Sequence, residues 1–324
     1  MSKGKKYFGI DISAIVFDVM DSDDNYYQFS NDKKGFKQFF KILNKNAICI
    51  MEATGYYHYQ LASFLDENNI LTSVVNPLSV KRFIQVYLSK IKTDKADAKM
   101  ICLYAQTIKL KFWKGSSKNQ IESLQLSRSI DFYMKQSTAL KNKINSEKVL
   151  GNPCKIVVLS LKKSLKRLQR EMKVLEEELI ELVRLENKDL LTRLESIPGV
   201  GRKTAVSLIV LTDGFKRFDK ANQLCSYAGL TPIVRQSGSS VKGKSRISKM
   251  GNSKLRKLLF MCSLTSCKHN KGCKEIYDRI VAKGKSKKLA LIAVCNKILK
   301  QAFAIAKSGL YYDENYKSVL KTVV

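Results

Sequence analysis

Acidic charge is what this sequence is short of. Its 324 residues carry 28 Asp and Glu against 59 Lys and Arg, a formal net charge of +31. Solubility asks for far less, so the imbalance implies a polyanionic partner, nucleic acid ahead of an anionic membrane surface. Histidine is nearly missing, with two in the chain, and His58 is given no catalytic role. Long apolar runs are missing as well. None reaches the roughly 18 to 20 residues that span a bilayer, and the N-terminus has no apolar segment with a small-residue cleavage site. The expectation is a cytoplasmic, bacterial protein with no membrane partner, associated with the nucleoid when active. The eight cysteines include no CxxC pair. Cys262, Cys267, His269 and Cys273 cluster, yet Cys262 and Cys267 would not share a helix face, so buried reduced thiols are expected rather than zinc. The length allows two or three domains and a substantial core.

What is present starts with Tyr7-Phe8-Gly9-Ile10-Asp11, an apolar run with one carboxylate where a strand gives out. A second run, Ala47-Ile48-Cys49-Ile50-Met51, closes on Glu52. Asp94 and Asp97 follow at a spacing that puts both on one helix face. Each has a plainer reading: Asp11 as a turn or cap residue, Glu52 as a solvated strand end, Asp94 as a helix cap with Asp97 in the first turn. Jointly they offer oxygen ligands for a hard divalent cation, Mg²⁺ or Mn²⁺, which clamps the oxygens of a phosphodiester. Lys90, Lys92 and Lys95 beside that helix would meet phosphates.

Periodicity predicts strands over 7–10, 14–20, 26–29, 47–51 and 71–75. Helices are predicted over 33–44 and 57–67 and from 78 and 94 onward. Three strands followed by alternating helices and strands give a mixed sheet covered by helices. That order is the one of the ribonuclease H-like (RuvC-like) α/β fold, whose first and fourth strands and late helix carry acids where Asp11, Glu52, Asp94 and Asp97 fall. The aromatics of Gly55-Tyr56-Tyr57-His58-Tyr59 beside Glu52 suit either base stacking or helix packing.

A linker at 111–117 leads into a polar helical stretch, and Gly151-Asn152-Pro153 breaks it before a second long helix. There Val158, Leu161, Leu165, Leu168, Met172, Leu175, Leu179 and Leu182 form a heptad seam. It would pair back onto the preceding helix or with another subunit, and oligomerisation to a dimer or tetramer is the favoured expectation. Lys162, Lys163, Lys166, Arg167 and Arg170 on the same helix suit a solvated face or a nucleic-acid contact. The resulting division is an α/β domain over 1–110, a helical coiled-coil region over 111–190, and a mainly α domain over 191–324.

Ile197-Pro198-Gly199-Val200-Gly201-Arg202-Lys203 has the form of a helix-hairpin-helix, in which Gly199 and Gly201 would let backbone approach a phosphate. Arg202 stands where a Walker A loop needs glycine, which excludes ATP binding at this motif. Acids are absent between Lys220 and Lys274 while Arg235, Lys242, Lys244, Arg246, Lys249 and Arg256 accumulate, the mark of a phosphate-binding surface. Gln236-Ser237-Gly238-Ser239-Ser240 inside it reads, on spacing alone, as a loop whose serines touch phosphates. Helices are predicted over 252–266 and 288–308.

Across nearly the whole chain the sequence resembles the transposases of insertion-sequence family one-ten, the DEDD transposases described as bridge-RNA-guided recombinases. Gly9-Ile10-Asp11, Met51-Glu52-Ala53-Thr54-Gly55, Val75-Asn76-Pro77 and Lys92-Thr93-Asp94-Lys95-Ala96-Asp97-Ala98 match its RuvC-like domain. Ile197-Pro198-Gly199-Val200-Gly201, Tyr227-Ala228-Gly229-Leu230-Thr231-Pro232, Gln236-Ser237-Gly238 and Ile247-Ser248-Lys249-Met250-Gly251-Asn252 match its C-terminal domain. The resemblance implies Mg²⁺-dependent recombination between donor and target DNA, both read by one structured noncoding RNA. It further implies Asp11, Glu52, Asp94 and Asp97 as metal ligands, working beside a serine nucleophile of another subunit. That serine falls on Ser237, with Ser239 and Ser240 nearby. Two other expectations stay open: a RuvC-like nuclease without a covalent intermediate, and a non-enzymatic nucleic-acid scaffold.

Overall fold

The computed structural model describes residues 4–53, 55–87, 93–233 and 246–316, with backbone alone at 236–237 and 241–242. The chain divides into two compact units, Met1–Ser116 and Ser117–Val324.

The first unit is a five-stranded mixed sheet covered by helices. Its elements are β1 (Lys6–Ile12), β2 (Val16–Asp21), β3 (Tyr26–Ser30), α1 (Lys33–Ile42), β4 (Ala47–Glu52), α2 (His58–Glu67), β5 (Leu71–Val75), α3 (Pro77–Val86) and α4 (Asp94–Thr107). Strand order is β3-β2-β1-β4-β5, with β1 antiparallel to β2 and parallel to β4. Successive side chains on a strand point to opposite faces. Phe8, Ile10 and Ile12, with Phe17, Val19, Cys49 and Met51, build one core with Phe36 and Phe39 of α1 and Leu61 and Leu65 of α2. The interleaved positions face the other way, where Ile48, Ile50 and Met20 pack on Ala98, Ile101 and Cys102 of α4. Asp11, Asp18 and Glu52 belong to that second set by the same alternation.

Gly9 sets how closely α4 lies on the sheet. A Cβ there would stand 2.2 Å from the Cys102 nitrogen and 2.4 Å from the Ala98 carbonyl oxygen, so helix backbone touches strand backbone. Helix α4 is capped by Thr93, whose Oγ1 accepts from the Ala96 amide at 3.2 Å, which leaves Asp94 and Asp97 in the first turn. Carboxylates there are favoured by the helix dipole.

The second unit is almost wholly helical. Helices α5 (Lys118–Val149) and α6 (Lys155–Glu195) form an antiparallel hairpin, and α6 bends at Asn187. The leucine seam of α6 faces α5, with Leu179 buried and the other seam residues half-buried. Within the chain the seam meets α5: Leu179 packs with Ile130, and Ser137 Oγ donates to Met172 Sδ at 3.7 Å. The inward face of α5 is serine-rich, with Ser123, Ser127 and Ser137 buried beside Ile130 and Ile144. After the hairpin come α7 (Arg202–Thr212) and α8 (Ala221–Tyr227). Among the described residues, four two-residue strands follow, β6 (Pro232–Ile233), β7 (Gln236–Ser237), β8 (Val241–Lys242) and β9 (Arg246–Ile247). The unit ends with α9 (Ser253–His269), α10 (Lys271–Ala282) and α11 (Lys287–Ser308).

Helix α11 corrects one sequence expectation, because it is long and apolar enough to cross a membrane by length and composition. Its apolar residues are needed elsewhere. Ala290 is fully buried, and Val294, Cys295, Ile298, Leu299 and Ala302 are fully buried in the core shared with α6, α7, α8 and α9. Cys262 and Cys273 lie in the same packing, and Cys262 Sγ stands 3.2 Å from Thr204 Oγ1.

Candidate active site

Three elements carry four carboxylates to one face of the sheet in the first unit. Asp11 comes near the end of β1, Glu52 from the end of β4, and Asp94 and Asp97 from the start of α4. Asp11, Glu52 and Asp97 are half-buried and Asp94 is exposed. The Asp11 carboxyl is pushed up to about 6, first by burial and then by the charges of Asp97, Asp94, Glu52 and Asp18. A carboxylate surrounded by like charges in a poorly solvated place is short of a cation. Among the described residues, no three His, Cys, Asp or Glu side chains stand close enough together to hold a metal ion. The donor chemistry nonetheless fits a hard divalent cation, which takes carboxylate oxygens and relieves this repulsion.

Asp18 is the acid that sequence reasoning missed. It opposes Asp11 across the β1–β2 register and is 3% exposed. Directly opposed residues share a face, so Asp18 stands behind Asp11 on the α4 side. Its carboxylate accepts from the Tyr26 hydroxyl and from Gln28 Nε2, the latter at 3.0 Å, which pushes the Tyr26 phenol up to about 12. The signal available was an acid among the apolar residues of Val16-Phe17-Asp18-Val19-Met20, where a solvated face is not on offer.

The rim carries cations and aromatics. Lys95 Nζ lies 5.2 Å from the centre of the Tyr26 ring, and Lys99 pairs with Asp24 at 2.8 Å. Lys92 lies outside the described residues. Tyr56 and Tyr57 are 64% and 49% exposed, so neither serves the core, whereas Tyr59 packs edge-on against Trp113. Asn31 Nδ2 ties the two loops of this edge together, donating to Ser13 O at 2.7 Å and Tyr57 O at 3.4 Å. His58 lies half-buried, and burial lowers the pKa of its imidazole.

In the second unit the Pro198–Gly201 turn joins α6 to α7, and its two glycines do different things. Gly199 has φ +95°, and a Cβ there would meet Ser266 Oγ at 2.1 Å and the Ser266 nitrogen at 2.8 Å. Its close approach is to α9, where Ser266 Oγ also donates to Pro198 O at 2.9 Å. Gly201 precedes α7 with nothing within 4 Å of its Cβ position. Gly199→Ala is therefore expected to destabilise the protein by about 1–3 kcal/mol, while Gly201→Ala stays within about 0.5 kcal/mol, both measured by urea unfolding. Equal effects at the two positions would refute this division.

The cations predicted to meet DNA have mixed surroundings. Arg202 Nε pairs with Glu195 at 2.8 Å and Lys203 Nζ with Glu176 at 2.8 Å. Arg256 turns inward to donate to Ala228 O at 2.8 Å against Gly229. Arg246 and Lys249 are exposed. Arg235, Lys244, Ser239 and Ser240 lie outside the described residues. Of Ser237 and Lys242 only the backbone is described: they lie in the β7–β8 ribbon, where Ser237 opposes Val241.

Two family models match the chain. One, a transposase model of the DEDD, IS110 type, covers residues 8–150, and a second, described as transposase of the IS116/IS110/IS902 family, covers residues 191–278. The pilin gene-inverting protein of Moraxella bovis is 29% identical over 96% of this chain and 98% of its own length. The transposase for insertion sequence element IS1111A of Coxiella burnetii is 25% identical over 91% of this chain and 88% of its own. An insertion element IS110 protein of Streptomyces coelicolor is 33% identical over 49% of this chain and 38% of its own. A DEDD domain implies use of a divalent metal. The two halves thus match the two halves of one kind of enzyme, in order and nearly end to end, and the chain belongs to the IS110 family of transposases, enzymes that cut and rejoin DNA.

Proposed function

We propose that this protein is a bridge-RNA-guided transposase whose RuvC-like domain and Ser237 together cut and rejoin the ends of an insertion element and its target. The observation that carries the reading is Asp11, half-buried on β1 and raised to about 6 by burial and by the facing carboxylates. In this reading Asp11, Glu52, Asp94 and Asp97 hold Mg²⁺, with Mn²⁺ able to replace it. When bound, the ion supplies positive charge to the oxygens of a scissile phosphodiester.

The chain's own residues do the rest. Ser237 gives up its hydroxyl proton and its Oγ attacks the scissile phosphorus. The bond from phosphorus to the departing sugar oxygen breaks, and that oxygen takes a proton. The resulting phosphoserine bond conserves the phosphodiester energy, so a second DNA hydroxyl can displace Ser237 and rejoin strands without ATP. Arg235, Lys242, Lys244, Arg246 and Lys249 draw in the phosphates, with Lys92 and Lys95 beside the acids and the α7 start at Gly201 as further contacts. Donor and target sequences are read by base pairing to a structured noncoding RNA, which leaves the protein to bind backbone. Two or four copies act together in the cytoplasm, the acids of one beside the serine of another.

The test incubates protein, the flanking noncoding RNA, Mg²⁺ and labelled element-end DNA, then separates products on denaturing gels. The expected result is a covalent protein–DNA adduct that needs the RNA and that Ser237→Ala abolishes. EDTA is expected to stop its formation and Mg²⁺ or Mn²⁺ to restore it. Cleavage with free ends and no adduct would replace this reading by that of a simple RuvC-like nuclease. An adduct that survives Ser237→Ala but not Ser239→Ala or Ser240→Ala would move the nucleophile.

A further inference from the structure

We infer that the outer face of α6 is a self-complementary surface on which a second copy of this chain docks antiparallel, in a register centred on Met172. The inference rests on the reading above only for the expectation that several copies act together. Its physical basis is separate.

With the leucine seam turned onto α5, the opposite side of α6 is left to solvent. Along it run Leu159, Lys163, Arg167, Arg170, Val174, Glu177, Glu181 and Leu185, all exposed and spaced by three or four residues. That spacing is a second heptad stripe, on the face away from α5. Three of these residues are large apolar groups in water: Leu159 at 57%, Val174 at 60% and Leu185 at 77% exposed.

The charges on the stripe are sorted by position. Before Met172 the helix carries Lys155, Lys162, Lys163, Lys166, Arg167 and Arg170, with Glu171 the one acid; after it the helix as a whole is mixed, with Lys173, Arg184, Lys188 and Arg193 among its acids, but the charged residues on the stripe itself are Glu177 and Glu181. An isologous twofold contact brings each residue opposite the one equally far beyond the centre. About Met172, that rule opposes Leu159 to Leu185, Lys163 to Glu181 and Arg167 to Glu177. Arg170 meets Val174 at the middle. Each match is apolar on apolar or opposite in sign, apart from that central pair, and each occurs twice by symmetry. Within the chain these acids have weak partners, Lys173 to Glu177 at 3.9 Å and Arg184 to Glu181 at 2.5 Å, both one turn apart and exposed. Such pairs are worth little and exchange readily.

Nucleic acid is the other polyanion the basic half could take. The acidic half argues against it, since a duplex lying along this face would meet Glu177, Glu178 and Glu181 as soon as it left Arg170. The matching apolar ends argue for protein, because Leu159 and Leu185 offer nothing to phosphate.

The test uses full-length protein without DNA or RNA. Analytical ultracentrifugation is expected to find twice the chain mass at low salt. Lys163→Glu with Arg167→Glu is expected to weaken that dimer at least tenfold. Adding Glu177→Lys and Glu181→Lys to the same chain is expected to restore it, which a misfolded variant could not do. Leu159 and Leu185 are about 39 Å apart along one helix, so no disulfide can join them within a chain. With Cys154→Ser as background, the double variant Leu159→Cys, Leu185→Cys is expected to oxidise to a covalent dimer. A monomer under every condition would overturn both this interface and the multi-copy reading. A dimer indifferent to the charge swap, or charge variants that lose nucleic acid without changing mass, would overturn the interface alone.

Discussion

Replacing Asp11 by Asn is expected to stop strand cleavage and to leave the protein at least as stable as before. The two outcomes come from one cause. Asp11 sits where burial and four neighbouring acids already disfavour its charge. Removing that charge while keeping the shape relieves repulsion, so thermal unfolding is expected to move up or stay put. Holding a divalent cation needs the charge, and losing one ligand carboxylate from a phosphodiester-cleaving centre costs about 4 kcal/mol or more in the barrier, roughly a thousandfold in rate. Binding of DNA, which the proposed function assigns largely to the cations of the second unit, is expected to change little. Denaturing gels give the cleavage rate, filter binding the affinity, and a melting curve the stability. Cleavage within about tenfold of the unmodified protein would remove Asp11 from the chemistry, and a large fall in stability would mark it as structural.

The sheet and its acids were legible because each rests on a local rule. Alternation along Tyr7-Phe8-Gly9-Ile10-Asp11 fixes a strand and a face, and the observed β1 (Lys6–Ile12) extends the predicted span by no more than two residues at either end. The same holds for β4, which ends on Glu52, and for α4, which begins at Asp94. What the sequence hid are features decided by packing at a distance. The serines of α5 look like a solvated face in one dimension. They are small enough to admit the leucines of α6, so the seam finds a partner in the preceding helix. Asp18 was passed over because a strand acid normally points to water, and only the α4 cover and the Tyr26 and Gln28 bonds reveal that this one does not.

Glycines show the same divide between rule and context. Gly199 and Gly201 fit one phosphate-binding motif by spacing, yet the neighbour that demands Gly199 is Ser266, 67 residues further on. The short β6–β9 pairings lie in a segment rich in Gly, Ser and Lys, where two-residue strands leave no periodicity to read. Helix α11 erred in the other direction. Its composition suits a bilayer, and the buried positions from Ala290 to Ala302 show that a core helix of a mostly helical unit meets the same measure.

Gly9→Ala is expected to do by geometry what Asp11→Asn does by charge. The added methyl would meet the Cys102 nitrogen at 2.2 Å, the Ala98 oxygen at 2.4 Å and the Cys102 Cα at 2.7 Å. All three are backbone atoms of α4, so no side chain can rotate aside and the helix itself must lift from the sheet. Overpacking of this kind costs about 3 kcal/mol, at the upper end of the usual range because the obstacle is rigid. For a domain of this size the melting temperature then falls by roughly 10 °C or more. The helix that moves carries Asp94 and Asp97, so the acids separate from Asp11 even in molecules that stay folded. A displacement of about 1 Å in a catalytic group is worth roughly a hundredfold in rate. Cleavage measured well below the new melting temperature is therefore expected to fall by at least that factor, with DNA affinity preserved. An Ala variant that melts with the unmodified protein would mean α4 can lift freely. One that melts early yet cleaves at full rate would separate the seating of α4 from the placement of its two carboxylates.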